Sequence, residues 1–276
     1  MFNPFDIFNV FKFGNLSAVV KRYFTELASI GSQYYTIPSV TIDRIVMDVY
    51  SSAGSATGLP TGATAPTANK LDTLDFVYSG SISELGKNGA SYFDGIIANV
   101  KMYNSGTLVR HYKINETWSN DLVLNDVSGN AQHGTAVNIT SADAELYTFN
   151  AQDNAWLANA NLWSNPPSNI GAQWIDNGDD TYSLVGDGNL NELYNSGQTV
   201  SGVRYRAAFS ITGFSGTGAL KFRNSTANIL ELAADGAFTT DYVADGSNFS
   251  FARRNPGEII NATVGNVSCK RLIEVA

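Results

Sequence analysis

Between Ile96 and Tyr103 the chain alternates: Ile96, Ala98, Val100 and Met102 are apolar, while Asn99, Lys101 and Tyr103 interleave with them. A period of two is the pattern of a strand with one buried face. Asn104-Ser105-Gly106 follows as a short turn, with Gly106 the residue able to take positive φ. Leu108, Tyr112 and Ile114 then continue the apolar face, so the segment predicts a hairpin. A Gly/Asn-rich loop through Asn125–Gly134 and a further strand come next. The pattern recurs where Val203, Tyr205, Ala207, Phe209 and Ile211 alternate with Arg204, Arg206, Ala208 and Ser210. Shorter strand patterns lie at 220–222, 229–232, 238–242, 249–251 and 264–272, each bounded by Gly, Asn or Asp. The chain is therefore expected to be mainly β, built as two β-sandwich or jelly-roll domains.

Composition narrows the partners. The 276 residues suffice for two domains or one large sandwich, and only 15% are charged. A formal net charge of -8 with no compensating Lys/Arg cluster disfavours a phosphate-gripping surface, so no nucleic acid is expected. The single cysteine, Cys269, excludes an intrachain disulfide and reads as a small buried hydrophobe on a strand. No apolar run approaches the ~20 residues of a membrane span. The N-terminal residues also lack the basic start and small-residue cleavage site of a secretory signal.

The organisation reads as four parts. Residues 1–33 form an anchoring arm and helix. Phe2, Phe5, Phe8, Phe11 and Phe13 make an aromatic arm that needs a cover. Ser17–Ile30, with Val20, Phe24 and Leu27 among its apolar positions, has the three- and four-residue spacing of an amphipathic helix. These residues either pack on their own domain or dock into a partner or symmetry copies, and docking is the expectation carried forward. Residues 34–150 form the first β domain, interrupted by a small, uncharged loop at Ser51–Asn69. Residues 151–169 read as a linker holding Trp156, Trp163 and Pro166-Pro167, and 170–276 as a second β domain.

Catalytic chemistry has little to draw on. The two histidines, His111 and His133, fall on a strand and in a Gly-flanked loop, and ordinary polar roles are expected for both. The chain has no Gly-x-Ser-x-Gly elbow, phosphate-binding Gly-Lys-Ser/Thr loop or His-Glu-x-x-His pair. Nor is there a Glu-x-Asp-x-x-Glu strand of the glucanase kind. No enzyme activity, cofactor or metal centre is expected. Asp176, Asp179 and Asp180 offer oxygen ligands of the kind calcium takes, but Asp and Asn are also the commonest turn formers. Sugar binding would need an exposed ring beside hydrogen-bonding side chains. Trp156, Trp163 and Tyr194 are the candidates, with packing between domains an equal explanation for the tryptophans; Trp174 reads as a core anchor.

Two stretches carry a resemblance. Tyr92–Ile139, including Tyr92-Phe93-Asp94-Gly95 and Asn130-Ala131-Gln132-His133-Gly134, resembles the closing part of a laminin-G-like or concanavalin-like sandwich as found in bacteriophage virion proteins, here shortened. Trp174 before Asn177-Gly178-Asp179-Asp180-Thr181-Tyr182, with Val203-Arg204-Tyr205-Arg206, Gly236-Ala237-Phe238-Thr239 and Val264–Leu272, resembles the carbohydrate-binding-module-like jelly rolls of phage tail-fibre proteins. In the last of these, Gly265 is expected to mark a bulge that brings Val264, Val267 and Cys269 to one face. The likeness spans roughly Tyr35–Ala276. It implies a non-enzymatic virion appendage, fibre or decoration subunit, anchored to capsid, neck or tail proteins by its N-terminal arm. It also implies a homotrimer and contact with host-surface glycans. The alternative is a free lectin-like module, secreted or on a cell surface.

Overall fold

A computed structural model describes residues 21–28, 31–114, 123–140, 143–186, 192–253 and 257–276. Every regular element among them is a β-strand. In chain order these are β1 (Lys21–Leu27), β2 (Tyr34–Tyr50), β3 (Lys70–Leu85), β4 (Lys87–Asn88), β5 (Ser91–Tyr92), β6 (Gly95–Asn104) and β7 (Thr107–Lys113). Then come β8 (Val123–Leu124), β9 (Gly134–Val137), β10 (Ala144–Asn150), β11 (Ala155–Ala158), β12 (Asn169–Ile170), β13 (Trp174–Asp176) and β14 (Tyr182–Val185). The last seven are β15 (Glu192–Asn195), β16 (Arg204–Gly216), β17 (Leu220–Asn224), β18 (Asn228–Leu232), β19 (Gly236–Val243), β20 (Phe249–Arg253) and β21 (Ile260–Val275).

The expected hairpin is β6–β7. Asn104 pairs with Thr107, so Ser105 and Gly106 form a two-residue loop, and both have positive φ (50° and 77°). That is the geometry whose twist matches the flanking strands. Asp43 Oδ2 accepts the Ser105 N–H at 2.6 Å and holds the turn against β2. One detail of the alternation differs. Asp48 pairs with Asn99 but Val49 with Ile97, so β6 carries an extra residue at Ala98. This bulge sends Val100, Met102 and Ile97 into one core, and Ile96 and Ala98 into another.

β2 is the spine of the N-terminal half, flanked by β3 along most of its length, by β6 from Arg44 to Tyr50 and by β9 at its start. Its Ile45, Met47 and Val49 are fully buried with Leu85, Phe93, Val100 and Met102. The uncharged stretch at 51–69 closes on itself as a chain of turns: Ser51 O accepts from Asn69 N at 3.0 Å, and Leu59 N donates to Ala56 O at 3.0 Å. Leu59 is buried beneath it, so this long loop is a packed cover over the first core.

The C-terminal half is a sandwich of two five-stranded antiparallel layers. One runs β13-β14-β21-β16-β19, the other β12-β15-β20-β17-β18. Between them lies an aromatic core in which Phe209 meets Phe222 at 5.2 Å and Phe251 at 4.9 Å between ring centroids. Burying each such side chain contributes roughly 1.5–3 kcal/mol. The bulge on the closing strand is present: Ala208 pairs with Ser268 and Ser210 with Gly265, leaving one residue over on β21. The left-handed position is Asn266 (φ 52°), next to Gly265. Without it, Val264 and Cys269, five apart, would face opposite sides; with it both are fully buried.

Two expectations are corrected. Ser17–Ile30 was expected to be helical, yet Lys21–Leu27 is β1, paired with β10 from Lys21↔Thr148 to Thr25↔Ala144 and with β6 at Glu26 and Leu27. Those two strands present open ladders on either side, and Tyr, Phe and Thr in this segment suit a strand as well as a helix. Residues 151–169 were expected to be a linker, but β11 lies within them, hydrogen-bonded to β10 on one side and β21 on the other. Trp156 and Trp163 are therefore core residues.

β21 joins the two halves. It begins between β14 and β16 and ends between β11 and β3, with Glu274 and Val275 running parallel to Lys70 and Leu71. A third core forms at the junction from Tyr50, Ile96, Tyr147, Trp156 and Ile273. Arg204 reaches Glu274 at 2.5 Å, and Arg206 bridges Asp241 at 2.7 Å and Asp153 at 2.5 Å.

Candidate functional site

Of the three aromatic residues singled out for sugar stacking, only Tyr194 reaches a surface. Trp163 packs edge-on to Phe251 at 6.0 Å and tilts against Phe249 at 5.6 Å in the sandwich core. Trp156 lies in the junction core, 5.1 Å from Phe149, with the Arg22 guanidinium 5.5 Å from its ring centroid. Trp174 is buried in the sandwich, as a core anchor should be.

Tyr194 stands on the outer face of the second layer. In β15, β20 and β17 alternate residues point inward: Leu193, Phe251 and Phe222 form one cross-strand row, all fully buried. The next row therefore points out, and its register is Asn169–Tyr194–Ser250–Arg223–Asn228, one residue from each of β12, β15, β20, β17 and β18. The neighbouring outward row is Glu192–Ala252–Lys221–Glu231. The middle strand contributes only small residues, Ser250 and Ala252, both buried beneath larger flanking side chains. Larger side chains therefore flank β20, Tyr194 and Glu192 on β15 and Arg223 and Lys221 on β17. Arg223 Nη1 and Glu192 Oε1 form an ion pair across β20. Asn169 Nδ2 donates to the Glu192 carbonyl at 3.3 Å, fixing the end of the row. Planar amides, a phenol ring and a guanidinium in one line suit a ligand rich in hydroxyls with an apolar ring face. The cue in the sequence was the alternation in Glu192–Asn195 and Leu220–Asn224; their alignment across β20 came only with the fold.

A cleft of about 460 Å³ lies where the halves meet, lined by Asp94, Asp143, Glu145, Tyr147, Val203 and Arg271. Asp143 Oδ2 already accepts from Thr140 N and Oγ1 at 2.6 and 2.9 Å, and Arg271 lies over the Tyr50 ring at 5.4 Å. Among the described residues no group of three or more His, Cys, Asp or Glu is arranged to hold a metal ion. Asp176 and Asp179 serve their own turn, Asp176 Oδ1 accepting from Gly178 N at 2.8 Å and Asp179 Oδ1 from Thr181 Oγ1 at 2.6 Å, while Asp180 Oδ1 accepts from Asn165 Nδ2, fifteen residues upstream.

Both histidines take structural roles. Thr73 Oγ1 and Asn99 Nδ2 donate to the two oxygens of Asp48 at 2.7 and 3.2 Å, leaving Asn99 Oδ1 to accept from His111 Nε2 at 2.9 Å. That chain crosses β3, β2, β6 and β7 on one face, and burial pushes the Asp48 carboxyl up despite its donors. His133 Nδ1 accepts the Asp126 N–H at 3.2 Å.

The assembly residues divide. Phe2, Phe5, Phe8, Phe11, Phe13 and Val20 lie outside the described residues. Phe24 sits in β1, paired with Glu145, and Leu27 is fully buried in the first core. No protein-family model matches the chain, and no curated protein matches it in sequence.

Proposed function

We propose that this is a non-enzymatic virion subunit, an appendage, fibre or decoration protein of a bacteriophage, whose C-terminal sandwich contacts host-surface glycans. The observation that carries the binding half of this reading is the outward row Asn169–Tyr194–Ser250–Arg223–Asn228 above the small-residue floor of β20. A pyranose stacks its apolar face on Tyr194, and its hydroxyls meet Asn169 and Arg223. Support for the virion setting comes from the sequence likeness, in which the C-terminal half reads as a carbohydrate-binding-module-like jelly roll. The phenylalanine-rich segment from Phe2 to Phe13 supports anchoring to a larger particle. In that setting the subunit assembles with copies of itself and with capsid, neck or tail proteins.

The free-lectin reading shares the same face and parts from the first only at the arm. The deciding experiment is a glycan array with the full chain, Tyr194→Ala and Arg223→Ala, run beside a particle-incorporation assay of a chain lacking residues 1–14. Glycan retention that falls at least about tenfold in Tyr194→Ala, equivalent to ~1.4 kcal/mol, supports the face. Loss of incorporation with binding intact supports the virion setting. Binding untouched by either substitution refutes the face, and incorporation untouched by the deletion refutes the anchor.

A further inference from the structure

The edges of the sheets are treated unequally. The free edge of β7 is covered by the loop at 126–133: Val127 N donates to His111 O at 2.8 Å, and His111 N donates to Asp126 Oδ1 at 3.0 Å. β12 and β13 are two and three residues long, and β18 is five residues with a register shift against β17. Short or irregular strands make poor templates for another chain. β19 is protected only at its C-terminal end, where Asn224 Nδ2 donates to the Val243 carbonyl at 3.0 Å. It pairs with β16 through eight consecutive residues, Arg204↔Val243 to Ile211↔Gly236, with no register shift. Among the described residues no strand pairs with its other edge. It contains no Lys and no Pro, and its single charge, Asp241, is engaged by Arg206 Nε at 2.7 Å and Arg204 at 3.8 Å.

We propose that β19 pairs antiparallel with β19 of a second copy of this chain, about a twofold axis through Thr240. The observation that selects a second copy is the strand's self-complementarity about that residue. Residues directly opposed across an antiparallel pair share a face, so a twofold axis normal to the sheet matches inner positions with inner and outer with outer. Centred on Thr240, the register sets Thr239 opposite Asp241, Phe238 opposite Tyr242, and Ala237 opposite Val243. The matches are compatible: the Thr239 hydroxyl can donate to the Asp241 carboxylate, two aromatic rings meet, two apolar side chains meet, and at the centre Thr240 faces itself. Aromatic and Thr–Thr pairs are among the favourable cross-strand combinations. The pairing also covers Val243, which is half exposed in the single chain, and joins the layer β13-β14-β21-β16-β19 to its symmetry mate as one continuous sheet.

The test uses the full chain and light scattering after size exclusion over a concentration series. Wild type is expected to approach twice the 29.6 kDa chain mass. The double variant Ala237→Glu/Val243→Glu puts like charges opposite each other twice across the axis, on exposed outer positions, and is expected to return to a single chain mass. Ala237→Lys/Val243→Glu turns both matches into opposite charges and is expected to restore the doubled mass. Circular dichroism of all three checks that the sandwich is intact. Three results would overturn the proposal: a wild type that stays at one chain mass at every concentration, an assembly of any size indifferent to the double glutamate variant, or a failure of the Lys/Glu variant to recover.

Discussion

Asp126→Asn should cost this protein about 2–3 kcal/mol at neutral pH and almost nothing in acid. Asp126 is 6% exposed and accepts three backbone N–H groups, from His111 at 3.0 Å and Ser128 at 2.9 Å on Oδ1, and from Gln132 at 3.2 Å on Oδ2. Burial pushes its carboxyl up, but these donors outweigh burial and hold it below the ordinary value. Asparagine keeps Oδ1 and turns Oδ2 into an NH₂ that faces the Gln132 N–H. One charge-assisted bond, worth roughly 1.5–3 kcal/mol, is lost, and the two on Oδ1 fall to neutral strength. A carboxyl lowered on folding stabilises the protein fully above its unfolded value, and that contribution disappears as pH falls through the folded value. The gap between wild type and variant should therefore be widest at pH 7 and close below about pH 4. Asp48, whose carboxyl is raised, has the opposite dependence but is present in both proteins and cancels in the comparison. Urea unfolding at a series of pH values reads the gap directly. Equal stability at pH 7, or a gap unchanged into strong acid, would refute the account of the loop as held by a charged cap.

Gly95→Ala is expected to abolish folding or cost more than about 4 kcal/mol, because a Cβ at φ 148° would overlap the Tyr50 carbonyl of the paired strand. Gly106→Ala also meets positive φ, at 77°, but has open space around it and should cost only about 1–2 kcal/mol; comparing the two by thermal unfolding separates steric overlap from backbone strain. The Cys269 thiol is fully buried 3.3 Å from Tyr242 Oη, and burial pushes it up to about 11, so a disulfide reagent at pH 8 should label it only after denaturant is added. Rapid labelling of the native protein would contradict its place in the core.

The residues themselves determined the kind of structure this is and several of its local devices. Alternation in β16, the Ser105-Gly106 turn and the irregularity near Gly265 are short-range consequences of side-chain spacing and backbone freedom, and each is present where the sequence places it, whereas the alternation in β6 is broken by the bulge at Ala98. Pairing was decided elsewhere. Lys21–Leu27 carries spacing that suits a helix, and it is a strand because β10 and β6, more than sixty residues away, offer it two ladders. Ala155–Ala158 is too short to show a period, and it becomes structural only when the last residues of the chain lie beside it and bury Trp156. Tyr194 could be named from its loop-like, asparagine-rich neighbourhood, but Ser250 and Arg223 could not, since only the register of three strands brings them into line. Local preference acts over a few residues and leaves a mark in the sequence; hydrogen bonding between distant strands depends on which edges are open when the chain closes, and only the tertiary structure fixes that.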